Sequence, residues 1–453
     1  MTGATAEVVA APTLHDLVLR GGTIVSGDGR VLADLGVADG RIAQIGGPMR
    51  GRREIDVREK LVLPGAIDPH VHLSQPDPPS DQPAWCDDFA SGTRAAAAGG
   101  ITLVGNMTFP WPGETLGAAL ARDAAAVSRD AVIDVILHPV LTDPLTQPIA
   151  EIPALAASGA TKTLKFFTSF GGFVNDAAPY LAAMRLAAEN GLLTMAHCED
   201  AAILSTALAH LVATGRTGVA HYPESRPVTA EIAATARIAA FAEETGAPTY
   251  IVHLSAAAAL DEVRRGRVRG APLTVETRPL YLFLTEERFA QPDGALYVGQ
   301  PPLRTAADVA ALWQALASGE IDTLGSDHAP WRAADKLFPG IDVSTVRPGV
   351  ADLDVMLPLL FSEGVTKGRL SLERFVELTA TTPARLFDLS PQKGTITLGA
   401  DADIAVWDPA LTKPIRAADF VSNGDFSPYE GWSVTGWPVM TISCGRIVYS
   451  FPG

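Results

Sequence analysis

The chain has 453 residues, 47% of them apolar, enough to bury a large core and to form one big domain beside a smaller one. Its net charge of −16, from 35 basic and 51 acidic residues with no compensating Lys/Arg block, repels a phosphate backbone and argues against nucleic acid as a partner. Residues 1–14 lack the basic start and apolar core of a signal peptide and no run of 18 apolar residues occurs, so the reading is a cytoplasmic protein with no membrane partner.

In chain order, short apolar runs over 17–57 alternate with Gly-Gly, Gly27-Asp-Gly29 and Asp39-Gly40, the punctuation of hairpins in a small antiparallel unit. After Pro64 the rhythm changes to strand-like runs alternating with Ala-rich, helix-period segments, as in a parallel sheet. The strands are read at 61–72, 101–107, 132–140, 163–167, 192–197, 249–254, 273–276 and 322–326. Helices are read at 88–98, 116–127, 178–189, 231–244, 255–265 and 306–317. Eight such units in about 270 residues fit a (β/α)8 TIM barrel. A doubly wound open sheet would carry a glycine-rich phosphate turn after its first strand, where this chain has His70-Val71-His72. A Pro-rich stretch at 77–83 reads as a loop over the barrel mouth. The β pattern returns at 399–407 and 437–449. Neither terminal β segment can close a core alone, so the two are expected to form one small β-sandwich domain from 1–63 and 390–453, beside a barrel over 64–389.

The polar residues fall on this frame in a pattern. Side chains of an extended segment alternate, so His70 and His72 share a face and can hold one cation between them. Lys165 lies on the fourth strand, His197 ends the fifth, His253 the sixth and Asp327 the eighth. Barrel active sites are built at the C-terminal ends of strands, and converging His and Asp side chains there suit a divalent metal. The three cysteines, Cys86, Cys198 and Cys444, are too scattered for a disulfide framework or a thiolate zinc site, so nitrogen and oxygen must hold any metal.

With these motifs in place the chain resembles the amidohydrolase superfamily, and within it the hydantoinase/dihydropyrimidinase and allantoinase group of cyclic amide hydrolases. The resemblance rests on Gly65-Ala-Ile-Asp-Pro-His-Val-His72, Asp87-Asp-Phe-Ala-Ser-Gly-Thr93, Lys165-Phe-Phe, Ala196-His-Cys-Glu199, Ser225-Arg-Pro227 and Val252-His253. It continues through Val275-Glu-Thr-Arg-Pro-Leu-Tyr281, Pro301-Pro-Leu-Arg304, Gly325-Ser-Asp-His328 and Gly399-Ala-Asp-Ala-Asp403, and so covers nearly the whole chain. It implies two divalent ions, zinc first, with manganese, cobalt or iron as alternatives, one held by His70, His72 and Asp327 and the other by His197 and His253. It implies also that CO2 carboxylates Lys165, which then bridges the ions. Two ions bring +4 and Asp327 −1, and a carbamate plus a bridging hydroxide would reduce the remaining +3 to +1. In such a site the bridging hydroxide attacks the substrate carbonyl, and Asp327 passes the proton to the leaving ring nitrogen. A homo-oligomer, tetramer or dimer, is expected.

Substrate is read from departures. Dihydroorotases carry Arg where Ser74 stands, and the Asp-Asp-Phe of Trp85-Cys-Asp-Asp-Phe89 is hydantoinase-like. Hydantoinases carry Ser and Cys where this chain has Gln300 and Arg278, and a tyrosine where it has Phe170. Thr168 or Ser169 could replace that tyrosine's hydroxyl, Gln300 could offer its amide to a cyclic imide, and Phe166, Phe167, Phe170 and Phe173 are either a wall for an apolar substituent or core. His138 and His328 face the same rim, as substrate contacts or as hydrogen-bond supports, while Glu199 is read as orienting a neighbour. Loop residues His221 and Arg226 have an inter-subunit or structural role as readily as a catalytic one, and Cys198 is a small strand-end residue. The function expected is ring opening of a hydantoin, dihydropyrimidine or cyclic imide with an apolar substituent. An allantoinase-type ureide hydrolase is the alternative, and a non-catalytic scaffold is disfavoured because every ligand position is filled.

Overall fold

A computed structural model describes residues 13–75, 78 and 84–451. The loop expected at 77–83 therefore lies outside the described residues except for Pro78. Five strands open the chain: β1 (Thr13–Ser26), β2 (Gly29–Ala38), β3 (Arg41–Ile45), β4 (Met49–Asp56) and β5 (Leu61–Pro64). The β2–β3 hairpin turns at Asp39 and Gly40, both at positive φ (50° and 73°), as a tight two-residue hairpin requires. β1 forks near Gly21 and Gly22: its first half pairs in parallel with β4, its second half with β5, and β2 runs antiparallel along both. A Cβ at Gly22 would lie 2.6 Å from Val62 Cγ2, so a larger residue would push β5 off the fork.

At Gly65 the chain leaves this sheet for the barrel. A Cβ there would sit 2.2 Å from Thr102 Oγ1, and the Gly65 N–H donates to Asp403 O at 2.8 Å. The single strand read at 61–72 is thus two, β5 in the terminal sheet and β6 (Ala66–Val71) in the barrel. β6, β7 (Ile101–Thr108) and β8 (Asp134–Pro139) form one parallel arc. A second parallel arc holds β9 (Thr163–Phe167), β10 (Leu193–His197), β11 (Thr249–Ile251), β12 (Leu273–Thr277) and β13 (Thr323–Leu324). One parallel bridge at Val140–Lys165 and another at Val71–His328 join the arcs into a ring of eight strands. Helices cover its outside, including Phe89–Ala98, Leu116–Asp130, Ala178–Glu189, Val228–Thr245, Ala257–Arg269 and Ala306–Ser318. The first is started by a capping box between Asp88 and Ser91.

β11 and β13 stop short of the strands read at 249–254 and 322–326. The reason lies just beyond them: His253 (φ 37°) and Asp327 (φ 49°) are left-handed, so extended backbone cannot run through either.

After the barrel, β14 (Ile404–Pro414), β15 (Ser433–Ser443) and β16 (Arg446–Ser450) return to the opening sheet, with β14 antiparallel to β5. Both ends of the chain thus share one eight-stranded mixed sheet. Leu17, Leu19, Leu35 and Val37 from the first part pack with Ile404, Val406 and Ile442 from the last. The fold is the expected barrel with a β-sandwich built from both termini.

Candidate active site

Strand parity brings the site residues together. On β9, Lys165 and Phe167 are two apart and face the barrel mouth, whereas Phe166 points the other way and stacks on Phe173 at 6.1 Å, in the buried layer under Tyr180. The four phenylalanines are thus divided: Phe166 and Phe173 are core, while Phe167 and Phe170 line a cavity of about 140 Å³ at the mouth. His72, His197, His253, Asp327 and Gln300 line the same cavity. Larger hollows of about 600 Å³ and 400 Å³ carry none of these groups; the first lies by Leu193, Pro248 and Leu273, where β10 to β12 begin.

Two of the imidazoles, His70 and His197, are aimed by buried carboxylates. Glu276 Oε1 accepts from His70 Nδ1 at 2.8 Å, which leaves the His70 Nε2 lone pair facing Asp327 Oδ1 at 3.3 Å. His72 Nε2 lies 3.0 Å from the same oxygen, and the three residues can present one ligand atom each within 4.8 Å of one another. Glu199 Oε2 accepts from His197 Nε2 at 2.8 Å, turning His197 Nδ1 toward His253 Nε2 at 3.0 Å. The His70 and His253 rings stack at 5.3 Å, so all four imidazoles form one cluster. Burial pushes His70 and His253 well below the ordinary histidine pKa and lowers His197 too, which keeps these rings neutral, the form in which an imidazole nitrogen can bind a cation.

Several buried nitrogens here have no hydrogen-bond partner among the described residues: Lys165 Nζ, His70 Nε2, His72 Nδ1 and His253 Nδ1. Buried polar atoms without partners are costly, so their concentration at one mouth fits a site that takes up cations. Burial pushes Lys165 down to about 8. Asp327 is lowered too, but against its burial: burial would raise it, and the Arg278 guanidinium holds it well below the usual carboxylate range. A second group, Asp134, Asp403 and Cys444, needs no metal, because Lys393 Nζ already sits 2.5 Å and 2.6 Å from its two carboxylates.

Ser169 is half-buried and is not among the residues lining the cavity, although Phe167 and Phe170 on either side of it are. Thr168 Oγ1 lies 2.9 Å and 2.8 Å from the carbonyls of His197 and Glu199, so its hydroxyl is engaged with backbone and does not replace a tyrosine. His138 is satisfied by Thr163 Oγ1 and Pro69 O, and His328 by Asp87 and the Asp352 N–H, so both are supports and not substrate contacts. Glu199 also pairs with Arg226, while His221 pairs with Glu224 in a half-exposed loop. Ser74 donates to Trp85 O at 2.6 Å, a loop tie in place of an arginine. Cys198 is buried with Sγ on Ala196 O.

Sequence reasoning left Glu276 without a role, although it also accepts from Tyr250 Oη and the His253 N–H at 2.8 Å each. Its signal was an acid inside the apolar run Leu273 to Thr277. Arg278, flagged only as a departure, proves to pair directly with Asp327. Trp85 and Phe109, also unassigned, line the cavity against His72.

The model of the amidohydrolase family matches residues 61–448, nearly all of the described barrel and the returning strands. The chain belongs to the amidohydrolase family. This amidohydrolase is 37% identical over 442 residues to a D-hydantoinase of Ralstonia pickettii, covering 96% of this chain and 95% of the relative. It is 36% identical over 439 residues to a D-phenylhydantoinase of Escherichia coli O9:H4 (strain HS), covering 96% and 94%. A solved D-hydantoinase structure superposes with a TM-score of 0.91 at 36% identity, covering 96% of this chain and 95% of the other. Family membership implies a binuclear metal centre, and the grouping of His70, His72 and Asp327 is present for it. Among the described residues no helix is long and apolar enough to cross a membrane.

Proposed function

We propose that this amidohydrolase opens the ring of a cyclic amide, a hydantoin, dihydropyrimidine or cyclic imide with an apolar substituent. The observation that carries the reading is the convergence, at one end of the barrel, of four imidazoles, Asp327 and a buried lysine with no hydrogen-bond partner among the described residues. His70, His72 and Asp327 would hold one divalent ion, His197 and His253 a second, and Lys165, carboxylated by CO2, would bridge them. Zinc fits this nitrogen and oxygen set, and manganese, cobalt or iron fit it too. Bound there, such ions bring water toward a neutral pKa and polarise a carbonyl.

The chain's own residues do the rest. Glu276 and Glu199 fix which nitrogen of His70 and His197 faces the site. Asp327 accepts the proton as water oxygen adds to the carbonyl carbon, and returns it to the ring nitrogen as the C–N bond breaks. The Gln300 amide lines the cavity, where it can hydrogen-bond the imide edge. Phe167 and Phe170, 4.5 Å apart, continue through Phe109 and Trp85 as a line of rings that excludes water and packs an apolar substituent. The D-phenylhydantoinase name of a relative supports the same substituent class. A cytoplasmic homo-oligomer, dimer or tetramer, belongs to the same reading.

The test is a panel of hydantoins, dihydropyrimidines, cyclic imides, lactams and allantoin scored for ring opening. Aryl- or alkyl-substituted rings should open fastest. A preference for allantoin would favour the ureide hydrolase, and absence of both metal and hydrolysis would favour a scaffold. Phe170 refines the choice. An absent oxyanion donor costs about 10²- to 10³-fold where nothing replaces it, so a ring more reactive than a plain hydantoin is expected as the best substrate. Phe170→Tyr should therefore help on plain hydantoin and not on the best substrate. An equal gain above about tenfold on both would mark a damaged hydantoinase site and end the idea of a changed substrate.

A further inference from the structure

Arg278 follows β12 at the first residue past Thr277, and its side chain is completely buried. Its Nη1 pairs with Asp327 Oδ2, and its Nη2 lies 3.6 Å from Asp352 Oδ2. Asp327 thus meets two environments. Oδ1 is turned toward His72 at 3.0 Å and His70 at 3.3 Å, while Oδ2 belongs to the guanidinium.

The carboxylate torsion of an aspartate is broad and roughly two-fold, so nothing in Asp327 itself selects which oxygen faces the histidines. An arginine fork is planar and directional and can select it. Gly299 leaves room for that fork, since a Cβ there would lie 3.3 Å from Arg278 Nη1. Asp352 is buried, and neither of its carboxylate oxygens has a hydrogen-bond partner among the described residues, so its charge stands behind the guanidinium as a second anchor.

We propose that Arg278 is a positioning residue for Asp327, holding Oδ2 so that Oδ1 alone is presented to His70 and His72. This rests on the reading of Asp327 as a working residue of a metal-dependent hydrolase. Arg278 lines no part of the cavity and need not touch substrate, so its removal should act on turnover and metal retention, not on substrate affinity.

The experiment compares wild type, Arg278→Met, Arg278→Lys and Asp352→Asn, each checked for folding by circular dichroism. It measures kcat and KM on the best ring substrate, and zinc retention against a chelator. Arg278→Met should lose about 10- to 100-fold in kcat and in zinc retention, with KM changed by less than about threefold. Arg278→Lys should recover part of both, because an ammonium can hold one oxygen without the fork's direction. Asp352→Asn, which leaves the Arg278–Asp327 contact in place, should show a smaller loss of the same kind. Folded Arg278→Met with kcat and zinc retention within about twofold of wild type would overturn the proposal. So would a loss confined to thermal stability. If Arg278→Met does not fold, unchanged zinc retention in both folded Arg278→Lys and Asp352→Asn overturns it equally. A wild type that neither binds zinc nor opens a ring removes the underlying reading, and this inference with it. An active wild type beside unaffected variants refutes this inference alone.

Discussion

Lys165→Ala is expected to lose its metal and to fall by about 10⁴-fold or more in turnover. Lys165 is fully buried on β9, and its Nζ has no hydrogen-bond partner among the described residues. The facing residues on that strand are Thr163 and Phe167, so no carboxylate on β9 can bridge in its place. Two divalent ions beside neutral imidazoles need more negative charge than Asp327 gives, and a carbamate on Lys165 would supply it. Short carboxylic acids should restore part of the activity to the alanine variant. The pH dependence has a definite sign. Only the neutral amine reacts with CO2, and burial pushes Lys165 down to about 8, so recarboxylation of metal-stripped enzyme should quicken as pH rises through about 8. Elemental analysis and turnover read both effects. Full activity in Lys165→Ala would refute the bridging role.

Asp327→Asn is expected to keep much of its metal yet lose about 10³- to 10⁵-fold in turnover. The amide keeps the shape of the side chain and an oxygen for an ion, but cannot take a proton from water and hand it on. A second cost falls on the fold. Arg278 is buried and would face a neutral amide, and among the described residues Asp352, at 3.6 Å, is the carboxylate left to balance it. Removing one partner of a buried ion pair costs about 3–5 kcal/mol, and the remaining carboxylate should keep the loss toward the lower end. Urea unfolding measures that loss, and steady-state kinetics the other. Turnover within about tenfold of wild type would remove Asp327 from proton transfer.

Much of this architecture was legible in the sequence because it follows from periodicity. The spacing of His70 and His72 put the pair on one face of a strand, and strand ends placed His197, His253 and Asp327 on one rim. The missing parts depend on tertiary neighbours. The split at Gly65 reflects the approach of Thr102, which no local pattern announces. Parity alone could not say whether Phe166 or Phe167 faces the mouth until Lys165 fixed the register. The early ends of β11 and β13 go with left-handed backbone at His253 and Asp327, which is uncommon for any residue but glycine and which no local pattern announces. Arg278 was visible as an odd residue, but its pairing with Asp327 exists only because the ends of β12 and β13 lie side by side.

The ring of strands has two narrow seams, and both touch the chemistry. One is the lone bridge of Val140 to Lys165; the other is the lone bridge of Val71, between His70 and His72, to His328, beside Asp327. Elsewhere neighbouring strands are laced by longer ladders. Whatever draws His70, His72, Lys165 and Asp327 inward therefore also fastens the hoop where its backbone stitching is thinnest. A cation that gathers these four side chains would thereby raise the unfolding temperature as well as arm the site.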